Sequence, residues 1–434
     1  MKFMTIFACL FSQLAISSEN TDLSWSNSLE QNKITNTDQQ SYCLMNEQGK
    51  IEGKNIDLRV RLASVSKLLI SLWAIEELGA NYQYKTKLFI KNKNLHIAGS
   101  LDPFFGNEKV FFLLSQLNEL GYSSFDTITF DKDLIVYPTA QTHTDVYPQI
   151  TPATVARNLN MYFNTNTWGK LFKEEYNRIA ALSPKGKFRD IVTFTVKSVQ
   201  FVENNPLENE VDTRVLTYTS PEISKYLKEI NIQSNNYASH TIFLQLGGEE
   251  SFNNFLKNSY DLDASKIHFY SGSGLPTYIN GIRKDNYATC SVMMKLLSEF
   301  KDAIEKQNKT IEDIIAVPGS DGGTFRNRTF PSDLKNSFVA KTGTLTHVST
   351  LAGIMSTKQG FGFFGVFNQN PLIANAKRVQ NTMVESIMND FGGPLAFNYT
   401  FEKFHTYDRN TNIKSINLDD SAVSDFIPFE DGLQ

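Results

Sequence analysis

Little in this chain of 434 residues points to charge-driven binding. Its 42 lysines and arginines face 46 acids, a net charge of −4, and residues 405–434 alone carry six acids against two bases. The rest of the chain is therefore close to neutral, without the basic face that a nucleic-acid partner would need. Cysteine is scarce: Cys9, Cys43 and Cys290 are the three present, and their separation has no metal-site pattern. His96, His143, His240, His268, His347 and His405 also lack metal spacing. A G-x-S-x-G elbow is missing, which disfavours a Ser-His-Asp hydrolase. Beyond the N-terminus no run of ~18 apolar residues occurs, so no membrane-crossing helix is expected. There is no internal repeat.

The N-terminus has the marks of an export signal. Met1-Lys2 is a short basic start, residues 3–14 are an apolar run too short to span a bilayer, and Ala15-Ile16-Ser17 offers small residues for cleavage before Ser18. The stretch ending at Cys9 is faintly like a lipoprotein box, but Cys9 lies too near the start for a normal apolar region. Removal of residues 1–17 leaves Cys43 and Cys290. In an oxidising compartment they could pair, or they could stay as separate buried thiols, and sequence alone does not decide.

Strand patterns occur at 41–45, at 84–90 with a return at 95–97, and over 188–202, all rich in β-branched or aromatic residues. Residues 338–345, 349–355 and 361–367 suggest an antiparallel meander. Residues 64–78 form a helix that is apolar nearly all round, so it should be buried, with Trp73 in the core. Further helices are expected at 107–120, after Thr151-Pro152, at 220–229, from Asn236 to near Gly247, and at 374–391. Residues 82–217 form one inserted α+β domain, and the chain beyond 404 looks like a loose polar tail.

Three short constellations carry chemistry. Ser64-Val65-Ser66-Lys67 places a serine and a lysine one turn apart on one helix face. A serine hydroxyl needs a base against it, and a lysine can be that base if burial and cationic neighbours favour its neutral form. The same spacing recurs at Ser298–Lys301 and Ser332–Lys335. Ser64 differs in opening a buried apolar helix. Ser234-Asn235-Asn236 lies between two expected helices, where a loop could aim side chains into a cleft. Lys341-Thr342-Gly343-Thr344 lies on an expected strand, where the glycine needs a reason such as close approach of another backbone.

In this order the three resemble the SxxK, SxN and KTG signatures of the penicillin-recognising serine enzymes. Tyr270-Ser271-Gly272-Ser273-Gly274-Leu275 is similar to that group's DGSGL segment, and residues 318–324 to its GxDGT loop. These extras and the long insertion resemble the D-alanyl-D-alanine carboxypeptidase/endopeptidases of the PBP4 type, peptidase family S13, over about 41–390. The resemblance implies an α+β fold: a β-lactamase/transpeptidase-like domain, an antiparallel sheet flanked by helices, built from 18–81 and 218–400. Residues 82–217 would be the one inserted α+β domain and 401–434 a polar acidic tail. It also implies roles. Ser64 would attack the carbonyl of the penultimate D-alanine and Lys67 accept its proton. Backbone N–H groups of Ser64 and Thr344 would form the oxyanion hole. Ser234 would pass a proton to the departing amine, and Asn236 would hold the substrate amide or orient Lys67. Lys341 would add positive potential, Thr342 and Thr344 would hold the terminal carboxylate, and the peptide would lie as an added edge strand along the substrate-binding run of Lys341, Thr342, Gly343 and Thr344. No metal or organic cofactor is implied. The expected partners are peptidoglycan stem peptides and β-lactams as covalent inhibitors, in the periplasm, with loose membrane or wall association left open.

The sequence departs from the pattern in places. Asn235 stands where aspartate is common, and Ser271 replaces the usual aspartate before Gly272. The interval from Ser64 to Ser234 is shorter than in the longest members, which suggests a lost nested domain and a more open cleft suited to crosslinked wall. Asp321 and Arg326 are expected to order their loop, and His347 is expected in an exposed turn. A β-lactamase on the same scaffold and a non-catalytic β-lactam- or wall-binding module are the alternatives.

Overall fold

The computed structural model describes residues 18–407 and 413–416. The proposed signal, residues 1–17, and most of the acidic tail lie outside the described residues.

Two sheets organise the chain. The first is antiparallel and five-stranded, in the order Phe338–Leu345, Val348–Thr357, Gly360–Gln369, Gln40–Asn46, Ile51–Lys54. The strand carrying Lys341 is therefore an edge strand, with Lys341 opposite Ala352 and Gly343 opposite Thr350. On one face the Ser18–Gln31 and Ile373–Asp390 helices bury Trp25 and Leu29 with Val379, Met383 and Ile387. On the other the Ser66–Leu78 and Cys290–Lys306 helices form the largest core. The amphipathic Cys290–Lys306 helix buries Val292, Met293, Leu296, Leu297 and Phe300, and the Ser66–Leu78 helix is buried continuously from Ser66 to Ile75. Trp73 lies there against Phe243, Phe252 and Phe255. Cys43 and Cys290 form a disulfide between the sheet and this layer, with Cα atoms 6.0 Å apart.

The second sheet has six strands, in the order Lys414–Ile416, Arg214–Thr219, Lys85–Lys91, Asn94–Ala98, Ser124–Phe130, Thr195–Phe201. Two of its pairings are parallel, Asn94–Ala98 with Ser124–Phe130 and the latter with Thr195–Phe201. Parallel neighbours need crossovers, and the Asn107–Glu119 and Pro152–Tyr162 helices lie within them. Thr151 caps the second, accepting from Thr154 N at 3.2 Å.

Several expectations change. The strand expected over 188–202 is ordered only at Thr195–Phe201, where it finds a partner. Phe188 and Phe194 instead turn into the core, against Phe112 and Phe125. The Lys170–Leu182, Gly248–Tyr260 and Cys290–Lys306 helices are additional. The start of the tail is not loose. His405 Nδ1 lies 2.8 Å from Glu108 Oε1, Tyr407 stacks on Phe112, and Lys414–Ile416 pairs with Arg214–Thr219. Buried contacts and a free sheet edge recruit a segment whose composition is polar.

The second sheet's layer is fixed to the first. Asp102 and Lys109 form a buried ion pair, and Lys109 Nζ donates to Tyr226 Oη at 2.6 Å. Tyr226 lies on the Ile223–Gln233 helix, which ends at Ser234.

Candidate active site

Ser64 lies in the one-turn helix Ala63–Val65, directly before the Ser66–Leu78 helix. Ala63 has a left-handed φ of +50°, which costs about 1–2 kcal/mol for a residue with a Cβ. The sharp turn leaves Ser64 partly exposed over a wholly buried Lys67. Two glycines allow neighbouring backbones to close on it. A Cβ on Gly274 would meet the Ala63 carbonyl oxygen at 1.9 Å, and one on Gly343 would meet the Leu62 carbonyl oxygen at 2.6 Å. The close approach expected at Gly343 is thus present.

Lys67 Nζ has three partners: Ser64 Oγ at 2.9 Å, Asn236 Oδ1 at 2.8 Å and the Ser273 carbonyl oxygen at 2.6 Å. The Asn236 amide is oriented from its other end, where Nδ2 donates to the Thr144 carbonyl at 2.6 Å. Two of the three partners can therefore only accept. A neutral amine would direct its two hydrogens at them, and its lone pair would fall on the Ser64 hydroxyl. Burial, and then the charge of Lys341, hold the Lys67 proton affinity well below that of a free lysine.

Ser234 caps the Ile223–Gln233 helix in a left-handed conformation, φ +56°. Lys341 Nζ donates to Ser234 Oγ at 3.0 Å and to the Thr342 carbonyl at 2.8 Å. Burial, and then the nearby Arg328, bring Lys341 down to about 7. Among the described residues no carboxylate is hydrogen-bonded to Ser64, Lys67, Ser234, Asn236 or Lys341. Thr342 is buried and Thr344 exposed at the end of the edge strand.

The structure thus joins Ser64, Lys67 and Asn236 directly, and Ser234 to Lys341. Asn235 serves the scaffold. Its Oδ1 caps the next helix through Ala238 N at 2.9 Å, and its Nδ2 donates to the Ala140 carbonyl at 2.7 Å. Ser271 Oγ closes its own loop on the Leu275 carbonyl at 2.8 Å. Asp321 orders its loop by accepting from Val317 N at 2.7 Å and Tyr399 Oη at 2.6 Å, with Lys228 Nζ at 2.6 Å. Arg326 is exposed, as is His347 in its turn. Among the described residues no cluster of His, Cys, Asp and Glu could hold a metal.

Sequence reasoning passed over three features. The Ser273 carbonyl has no side-chain signature, although its segment was recognised. Residues 140–147 of the insertion reach the site: His143 Nδ1 donates to the Ser234 carbonyl at 3.1 Å, and Tyr147 stacks on His240 and bonds Ser273 Oγ. The insertion therefore lines this side of the site. The third is Arg328.

The model of the D-Ala-D-Ala carboxypeptidase 3 (S13) family matches residues 195–389. No curated protein matches the chain. Among solved structures it is similar to a predatory endopeptidase from Bdellovibrio bacteriovorus in complex with an immunity protein, at 27% identity and a TM-score of 0.80, covering 87% of this chain and 99% of that one. The penicillin G-acylated form of that endopeptidase aligns at 27% identity and a TM-score of 0.77, covering 87% and 99%. Penicillin binding protein 4 from Haemophilus influenzae shares the fold, at 16% identity and a TM-score of 0.56, covering 80% and 96%. The S13 family match over residues 195–389 and a lysine-paired serine at the edge of an antiparallel sheet make the chain a serine-type hydrolase that is similar to the S13 peptidases.

Proposed function

We infer that the chain is an exported DD-peptidase that cleaves D-alanyl-D-alanine bonds, and D-alanyl bonds to a crosslinking diamino acid, in peptidoglycan. The observation that carries this is Lys67, whose other two partners only accept, beside the partly exposed Ser64. Ser64 Oγ bonds to the carbonyl carbon of the penultimate D-alanine as Lys67 takes its proton. The oxyanion is met by the backbone N–H groups of Ser64 and Thr344. The C–N bond then breaks, and Ser234, held by Lys341, delivers a proton to the leaving nitrogen. Water attacks the ester, a proton returns to Ser64, and the acid is released. Asn236 orients Lys67, Lys341 supplies positive potential, Thr342 and Thr344 hold the carboxylate, and Gly343 lets the edge strand close on the Leu62 carbonyl beside Ser64.

β-Lactams acylate Ser64 by the same route, and the penicillin G-acylated Bdellovibrio relative supports this. The Bdellovibrio relatives are named as endopeptidases, which supports action on crosslinks. With no carboxylate hydrogen-bonded to the serine–lysine pair among the described residues, deacylation is slow, unlike that of a β-lactamase. The Cys43–Cys290 disulfide and the signal-like residues 1–17 support export to the periplasm. No helix among the described residues is long and apolar enough to cross a membrane.

The test is chromatography of crosslinked muropeptide dimers after digestion. The full chain converts dimers to monomers and Ser64→Ala does not. Removal of terminal D-alanine from pentapeptide with dimers left intact would refute the endopeptidase reading.

A further inference from the structure

Arg328 is a partly buried cation that the mechanism above does not use. It follows the short Gly323–Phe325 turn, with its backbone N–H on the Phe325 carbonyl at 2.9 Å. Its guanidinium donates to Gln380 Oε1 at 2.6 Å and to Asn381 Oδ1 at 3.1 Å, both on the Ile373–Asp390 helix. Those amides are themselves fixed. Gln380 Nε2 donates to Ser349 Oγ at 3.1 Å and Asn368 Oδ1 at 3.2 Å, and Asn381 Nδ2 to the Thr329 carbonyl at 3.2 Å. No carboxylate pairs with Arg328 among the described residues. A guanidinium drawn partly out of water for structure alone would ordinarily meet an acid there, because desolvating an unpaired charge is costly. Burial lowers Arg328 to about 10, so it stays charged at neutral pH.

Its position gives the charge a direction. Thr344 pairs with Ser349, and Ser349 with Asn368, across the antiparallel sheet. Directly opposed residues share a face, and alternation puts Thr342 on the face of Thr344. Gln380 bonds Ser349 and Asn368 and holds Arg328, so the guanidinium lies on the same face as the two threonines. Lys341 and Gly343 fall on the other face, toward Ser64. Arg328 is near enough to lower the proton affinity of Lys341 on one side and of the exposed Lys377 on the other, in each case after burial.

We propose that Arg328, held by Gln380 and Asn381 behind Thr342 and Thr344, is the specificity-determining cation for the carboxylate of the residue that the enzyme releases. This rests on the peptidase reading. A terminal D-alanine carries a carboxylate on the carbon attached to the scissile nitrogen, and so does a crosslinking diamino acid that has a carboxyl group beside each amine. A fixed cation at this place selects both and rejects a leaving group whose carboxyl is amidated.

The test compares kcat/KM of the full chain for an acylated stem peptide ending in D-alanyl-D-alanine with that for the same peptide ending in D-alaninamide. Wild type prefers the free carboxylate. Arg328→Gln reduces that preference about tenfold or more, the scale of a hydrogen bond to a charged group, and Arg328→Lys restores part of it. Asn381→Asp covers the case in which Arg328→Gln does not fold. It keeps the side-chain shape, puts a carboxylate on the guanidinium, and reduces the preference in the same direction. A preference unchanged in Asn381→Asp, or rates for both substrates falling in parallel, overturns the proposal. A wild type that cleaves neither substrate overturns the peptidase reading itself, which separates the two failures.

Discussion

Asn236 Oδ1 lies 2.8 Å from Lys67 Nζ, and the other end of the same amide is tied to the Thr144 carbonyl. The amide can therefore only accept from Lys67. Asn236→Asp would place a carboxylate on the lysine and favour its charged form. The rising limb of the pH profile for acylation by a β-lactam should then move up by about one unit or more. An unmoved limb would mean that Lys67 is not the group titrating there.

Two depressed lysines shape the pH dependence. Lys67, lowered by burial and then by Lys341, must be neutral to act, so activity falls as acid protonates it. Lys341, at about 7, loses its charge above that pH, so KM for a substrate with a free carboxylate should rise there. Steady-state kinetics across about pH 5–9 would check both limbs.

The same shifts have a sign in stability. Lys341 binds its proton more weakly folded, at about 7, than at the ordinary value of 10.5. The unfolded chain therefore holds the extra proton between those values, and stability should rise with pH through that window. Lys341→Met should flatten the rise and raise Tm at neutral pH while activity is lost. Melting curves at several pH values give the comparison.

Gly274 is predicted to tolerate no side chain. It combines a φ of +82° with a Cβ position 1.9 Å from the Ala63 carbonyl oxygen. Gly274→Ala should cost about 2–3 kcal/mol of stability. It should also slow acylation beyond what unfolding explains, because the adjacent Ser273 carbonyl holds Lys67. Denaturant melts paired with acylation rates of the folded fraction would separate these effects.

The Cys43–Cys290 bridge closes a loop spanning 247 residues. Replacing both cysteines with serine should lower stability by about 2–5 kcal/mol, with the acylation rate of the folded protein nearly retained.

The site was legible where its chemistry resides in side chains with a fixed order. Ser64, Lys67, Ser234, Asn236 and Lys341 could be picked out because a nucleophile needs a base and a charged site needs particular residue types. The meander at 338–369 was legible from its long β-branched and aromatic runs. The Ser273 carbonyl was not, since every residue has one and only the fold aims it at Lys67. Arg328 was not, because in sequence it is one arginine in a polar loop. Its meaning comes from Gln380 and Asn381, about fifty residues later. The tail misled because Tyr407 and His405 are too few to form an apolar pattern, yet both fill places on the Asn107–Glu119 helix.

Acylation of Ser64, activated by Lys67, is the step on which everything else depends. Intact-mass and peptide-mapping spectrometry after brief exposure to benzylpenicillin tests it most directly. The expected result is one long-lived penicilloyl group per chain on the peptide containing Ser64, absent from Ser64→Ala and strongly slowed in Lys67→Ala. No adduct on the wild type, or an adduct that persists in Ser64→Ala, would contradict it.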